Sequence, residues 1–137
     1  MIRQAALADI PRLMEIRAGV RENRLSDPSN VTSVDYAWFI DEHRIDTYVV
    51  NAGIVGFAAG DPRDGSIWAL FVEPGFEGQG IGQALLAAAC DALVRAGHGR
   101  ATLSTEPGTR AALFYAANGW NMSGSTGSGE AVFTKRL

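Results

Sequence analysis

Residues 67–86, IWALFVEPGFEGQGIGQALL, restrict the fold more than any other part of the chain. Ile67, Trp68, Ala69, Leu70, Phe71 and Val72 are apolar without alternation, the pattern of a strand covered on both faces in an α/β sheet. The strand then runs through Pro74, Gly75 and a set of glycines into an alanine-rich helix. Such a junction aims several unpaired backbone N–H groups and the positive end of a helix dipole at one point, which suits a phosphate. The glycines narrow the class of loop. Gly78, Gly80 and Gly82 are spaced G-x-G-x-G, whereas a dinucleotide fingerprint needs a small residue at position 83, where Gln83 stands. No Lys followed by Ser or Thr opens the helix, so the nucleotide triphosphate loop is excluded too. From the residues alone two readings stay open, a phosphate-binding loop or a tight connection.

The rest of the chain frames this junction. With 137 residues it is expected to form a single domain over residues 1–137, large enough to bury a core. Residues 1–4 read as a first strand, with Asp9 as the cap and Pro11 in the first turn of a helix reaching about Asn23. Ile10, Leu13, Ile16 and Val20 recur at helical spacing on its buried face. Residues 25–31 form a loop around SDPSN. Thr32 and Asp35 then have capping-box spacing before a second helix through Glu42. Residues 47–51 and 54–59 read as a hairpin turning at Ala52-Gly53, and residues 61–65 as the next turn. The third helix covers residues 81–96, with Ile81, Leu85, Ala88 and Ala92 on one face and Gly97 as its C-cap. A strand at 100–105, a helix at about 109–118 ending at Gly119, and an antiparallel pair at 120–123 and 131–135 complete the chain. The pair is joined by GSTGSG. The fold class is α/β, a mixed sheet of about seven strands flanked by about four helices.

Charge and residue usage exclude several functions. A net charge of −3 with no Lys or Arg run argues against nucleic acid and suits a cationic amine partner better. The opening MIRQAALADIPRL has no apolar core of signal-peptide type and no apolar run is long enough to span a bilayer, so a cytoplasmic protein without a membrane partner is expected. Cys90 lies among alanines and reads as a buried inert thiol. His43 and His98 have no Cys or His at ligand spacing, so no metal site is implied.

The flanks of the glycine loop carry a resemblance. VEPGFEGQGIGQALL resembles the acetyl-CoA loop of the GNAT superfamily of N-acetyltransferases, whose pattern is Arg or Gln, two residues, Gly, one residue, then Gly or Ala. ALFYAANGW is similar to the family's second motif, a helix carrying a Tyr three residues before a Gly and an aromatic residue. The chain departs from the first motif at Glu77, where the family has a basic or amide side chain. A carboxylate is unfavourable beside a pyrophosphate, so Glu77 is expected to point to solvent and leave more to Gln79 and the backbone.

The resemblance implies a GNAT-like fold, with a mostly antiparallel sheet splayed where acetyl-CoA binds, and an acetyl-CoA-dependent N-acetyltransferase acting on a primary amine without a covalent enzyme intermediate. It places pantetheine contacts on the backbone N–H groups of Phe71 and Val72, and the pyrophosphate among Gly78, Gln79, Gly80, Ile81, Gly82 and Gln83. Tyr115 falls at the family's general-acid position, the alternative being simple packing beside Phe114. Ordinary pKa values of about 10 for Tyr and about 8.5 for a thiol make full proton transfer uphill by roughly two kcal/mol, so a hydrogen bond to the departing thiolate matters more. An amine of pKa about 10.4 is only ~0.04% neutral at pH 7 and one near 7.8 is ~10% neutral, so a lysine-like acceptor needs a base more. Glu73 and Glu106 end neighbouring strands and either flank the cleft as that base, through water, or are solvated loop charges. Arg110 either meets a phosphate or is a surface Arg. In the superfamily the first helix pair walls the acceptor site, which would make Asp27, Asp35 and Tyr36 substrate contacts or else caps and solvated charges. A non-catalytic acetyl-CoA-binding or protein-interaction module is the alternative, and the sequence leaves a homodimer open.

Overall fold

A computed structural model describes residues 1–20 and 31–137. The chain runs β1 (Ile2–Gln4), α1 (Ile10–Gly19), α2 (Ser33–Glu42), β2 (Asp46–Val50), β3 (Gly53–Asp61), β4 (Ser66–Val72), α3 (Ile81–Arg95), β5 (Arg100–Thr105), α4 (Arg110–Ala117), β6 (Asn121–Ser125) and β7 (Ala131–Arg136). Among the described residues these are seven strands and four helices, and the strands form one mixed sheet ordered β1-β2-β3-β4-β5-β7-β6. Every neighbouring pair is antiparallel except β4 with β5. The alternation of strands and helices and the mostly antiparallel sheet are as the sequence implies.

Several boundaries move, each for a local reason. The helix expected to reach Asn23 ends at Gly19, where Val20 is already extended at φ −92° and ψ 111°. Residues 21–23, most of the 25–31 loop and the proposed contact Asp27 lie outside the described residues. Asp9 does not cap α1. It sits in helical conformation at the end of a 3-10 turn (Leu7–Asp9), and its carboxylate accepts from the Ala6 amide at 2.8 Å and from Arg3 at 2.9 Å. The β2–β3 hairpin turns at Asn51 and Ala52, whose φ values are 51° and 67°, and Val50 pairs with Gly53. Two left-handed central residues match the right-handed twist of the flanking strands, so the turn lies one residue earlier than Ala52-Gly53.

Three apolar clusters fill the two faces of the sheet. α1 and α2 cover one face through Ile10, Leu13, Ile16, Tyr36 and Phe39, and α3 covers the other through Ile81, Leu85 and Ala89. Towards β7, Leu93, Leu103, Tyr115, Trp120 and Phe133 form the third. α3 lies close because β3 offers glycines beneath it. A Cβ on Gly60 would stand 2.6 Å from Leu93 Cγ, and one on Gly56 2.9 Å from the Phe71 carbonyl oxygen. No described helix is long and apolar enough to cross a membrane.

β4 contains the irregularity that organises the site. Ala59 pairs with Ala69 but Gly60 pairs with Ile67, which leaves Trp68 as an extra residue on β4. A bulge shifts the alternation by one. Ile67, Leu70 and Val72 consequently pack towards α3, while Trp68, Ala69 and Phe71 pack towards α1 and α2.

Candidate functional site

The site begins where two parallel strands separate. β4 and β5 are paired at a single position, Ser66 with Thr102, so from there β4 runs on beside an open gap. Strand geometry decides which backbone groups face that gap. The Glu73 amide donates to the Val55 carbonyl on β3 at 2.8 Å, and the Phe71 carbonyl lies against Gly56, also on β3. Successive residues of a strand point their N–H and C=O groups to opposite sides. The amides of Leu70 and Val72 therefore face the gap. Phe71 differs from its expected role, since its amide faces β3 and its ring lies on the α1–α2 side.

Beyond β4 the chain enters the glycine loop. Gly75, Gly78 and Gly80 have φ values of 99°, 76° and 79°, a backbone that L side chains rarely adopt, and Gly80 is the N-cap of α3. A Cβ at Gly78 or Gly80 would meet nothing within 4 Å, so the loop stands open towards an incoming group. Ala84 is the first helical amide to bond back, to the Gly80 carbonyl at 3.1 Å. The amides of Ile81, Gly82 and Gln83 are thus left as the free first-turn donors of a helix whose dipole points positive at them.

Loop, strand end and helices enclose a cavity of about 640 Å³. Its walls are Leu70, Val72 and Pro74 from β4 and its end, Glu77, Gly78, Gly80, Gly82 and Gln83 from the loop and α3, Arg110, Ala111, Phe114 and Tyr115 from α4, and Gly19 and Val20 from α1. Of the expected loop residues Gly78, Gly80, Gly82 and Gln83 line the cavity, whereas Gln79 is exposed and Ile81 is in the core beneath the loop. Sequence reasoning missed Leu70, Pro74, Ala111 and Phe114, and the short approach of α1.

At the mouth Glu77 points to solvent as expected, with one local contact. Its side chain is exposed yet turned back on the loop, accepting from the Gly75 amide at 2.8 Å. Hydrogen bonds from its own amide and from Gly75, together with the charge of Arg110, hold its carboxyl below the usual carboxylate range. This contact is local to the turn and leaves the first-turn amides of α3 untouched. Arg110, at the first position of α4, adds positive charge to the same cavity.

Tyr115 is 6% exposed and packs on Phe114, Trp120 and Phe133 with ring centroids 5.4, 5.9 and 6.1 Å away. Burial pushes its hydroxyl well above the ordinary phenol range, so it stays protonated. Packing and a place on the cavity wall are both realised, one by the ring and one by the residue's position on α4. α4 is started by Thr109, whose Oγ1 accepts from the Ala112 amide at 3.2 Å.

The two carboxylates lie apart in their bonding. Glu73 follows β4 and is bound by Arg12 of α1 at 2.7 Å, an ion pair that also ties α1 to the end of β4. Glu106 is exposed after β5. Asp35, the third residue of α2, completes the capping box, its carboxylate accepting from the amide of the N-cap Thr32 at 2.8 Å, and Tyr36 is buried at 1% exposure. Among the described residues no group of three or more His, Cys, Asp or Glu is placed to hold a metal ion.

A model of the acetyltransferase (GNAT) family matches residues 10–120. No curated protein matches in sequence. Among solved structures, a GCN5-related N-acetyltransferase from Rhodopseudomonas palustris superposes with a TM-score of 0.80 at 19% identity, covering 100% of this chain and 95% of that one. The yncA acetyltransferase of Salmonella typhimurium, solved with its cofactor acetyl-CoA, gives a TM-score of 0.77 at 19% identity over 100% of this chain and 93% of its own. A ribosomal-protein-alanine N-acetyltransferase from Brucella melitensis gives 0.75 at 20% identity, covering 100% and 99%.

Proposed function

Because this chain belongs to the acetyltransferase (GNAT) family, we propose that it transfers an acetyl group from acetyl-CoA directly to a primary amine, as a single cytoplasmic domain. One observation carries the reading: the free first-turn amides of α3 open onto the same cavity as the gap-facing amides at the end of β4. That arrangement fits a ligand with a phosphate at one end and amides along its length. The glycine loop would hold the pyrophosphate through the amides of Gly78, Gly80, Ile81, Gly82 and Gln83, helped by Gln79 and Arg110. The gap edge of β4 would hold the pantetheine arm as a substitute strand.

Acetyl-CoA supplies a thioester whose carbonyl carbon is the electrophile. The Val72 amide is aimed where negative charge develops on the carbonyl oxygen. The neutral amine nitrogen bonds to that carbon and sheds one proton, which passes through water to a carboxylate, Glu73 or Glu106, while the carbon–sulfur bond breaks and its electron pair leaves on the thiolate. Tyr115 donates a hydrogen bond to the departing sulfur, its own proton being held by burial. Each proton and electron pair is then accounted for without a covalent enzyme intermediate.

The test has two measurements. Calorimetry with CoA should show binding, and thiol release from acetyl-CoA should depend on an added primary amine. Binding without release across a panel of small amines, peptide N-termini and lysine peptides would identify a non-catalytic module. Absence of CoA binding would sink the whole reading.

A further inference from the structure

The last turn of α1 carries Arg17, whose surroundings are unlike those of the ion-paired arginines. Arg3, Arg12, Arg44 and Arg63 each pair with a carboxylate. Arg17 takes part in none of the ion pairs among the described residues. Its guanidinium lies 5.1 Å from the ring centroid of Trp68 and 4.8 Å from that of Phe71, and it donates to the Tyr36 hydroxyl at 3.4 Å. Its Nε is buried without a hydrogen-bond partner. A cation held among aromatic faces keeps its stem packed, but a buried donor left unmade is costly unless a ligand completes it.

The position of this group gives the orphaned donor a use. Phe71 precedes Val72, whose amide faces the gap, and Gly19 and Val20, just beyond Arg17 on α1, line the cavity. Because of the bulge at Trp68, Arg17 lies on the opposite face of β4 from the glycine loop. An acceptor approaching from the α1–α2 side would thus meet Arg17 within a residue's length of the point where an acyl group is held. The planar guanidinium fork matches a carboxylate better than a hydroxyl or an amide.

We infer that Arg17 binds a carboxylate of the acceptor, so that the amine acetylated belongs to an amino-acid-like molecule carrying its own anion a few bonds from the nitrogen. This rests on the acetyl-transfer reading above and narrows its acceptor. It also reverses the expectation, drawn from net charge, of a simply cationic amine. Arg17 is a specificity residue here, touching the acceptor but not the reacting atoms.

The experiment compares each standard α-amino acid with its carboxamide, at equal concentration of neutral amine, and titrates the N-acetyl acids into the CoA-saturated protein. For the best acceptor, kcat/KM of the acid should exceed that of the amide by ~10-fold or more, and Arg17→Met should abolish the difference through KM while leaving kcat near its original value. Arg17→Lys, which keeps the charge without the fork, should retain part of the preference and decides the matter if the Met variant does not fold. Equal use of acid and amide, or a preference undiminished in either folded variant, would overturn the inference. Amines turned over with no gain from a carboxylate leave the transfer reading standing and this one defeated. N-acetyl acids that bind in an Arg17-dependent way without any turnover do the reverse.

Discussion

Tyr115 is where packing and chemistry meet in one side chain. Its ring is fixed by Trp120 and Phe133 and its residue lines the cavity, so Tyr115→Phe keeps the packing and removes only the donor. Turnover should fall ~10-fold to 100-fold, with kcat and kcat/KM falling together, because the interaction is made mainly in the transition state. Affinity for acetyl-CoA and the melting temperature should hardly change. Since burial raises the hydroxyl's pKa, no alkaline limb in the rate profile should come from this residue, and the Phe variant should keep the shape of the wild-type profile. Tyr115 was legible from its place in ALFYAANGW, whereas Arg17 was not. It follows Ile16 on α1, and no motif or spacing in the sequence marks it. Only the bulge that turns Trp68 to its own face shows that aromatic rings enclose it.

At the scale of elements, α3 and α4 form opposite walls of the cavity, and Gly82 sets their spacing. A Cβ there would stand 3.4 Å from Phe114 Cζ, close but tolerable, and the branched methyls of Val would go further into the space between the helices. Gly82→Ala should therefore bind CoA nearly as well as wild type. Gly82→Val should lose ~10-fold or more in affinity, a change of about 1.4 kcal/mol, with the fold intact by circular dichroism. Equal affinity of the Val variant by calorimetry would show that the ligand does not pass between α3 and α4. The glycine loop itself was readable because left-handed turns leave glycines in the sequence. The gap between β4 and β5 was implied only by resemblance, since a strand's composition does not say with which neighbour it stops pairing.

For the whole molecule, the half of the sheet remote from the cavity contains a pH-sensitive element. His43 ends α2 with Nε2 buried and unpartnered. Burial, and secondarily the charge of Arg44, lower its pKa, while Asp46 and Asp61 act weakly in the other direction. A base whose folded pKa lies below its unfolded value near 6.5 binds fewer protons folded than unfolded, so stability falls as pH drops below about 6.5. The melting temperature should decline between about pH 7.5 and about pH 5.5, and His43→Gln should flatten that decline; an unchanged slope would remove His43 as its source. Asp9 and Asp61, whose pKa values are lowered chiefly by hydrogen bonds from Arg3 and Arg63, stabilise the fold above about pH 4 and lose that contribution only in stronger acid. The two effects therefore occupy separate pH windows.

The sequence by itself determined what local chemistry encodes. Apolar runs marked strands such as β4, the 3.6-residue spacing of Ile10, Leu13 and Ile16 marked the face of α1, and the glycines marked the turn into α3, because each of these acts within a few residues along the chain. Tertiary structure alone decided the rest. Glu77 points to solvent as expected, and its bond from the Gly75 amide was not legible; Phe71 was expected to turn its amide to the gap, and strand parity turns those of Val72 and Leu70 there instead. Such outcomes depend on which carbonyl across the sheet accepts each amide and on where one extra residue enters β4. A side chain's identity contains no record of either, so they appear only once β3, β4 and α1 are packed together.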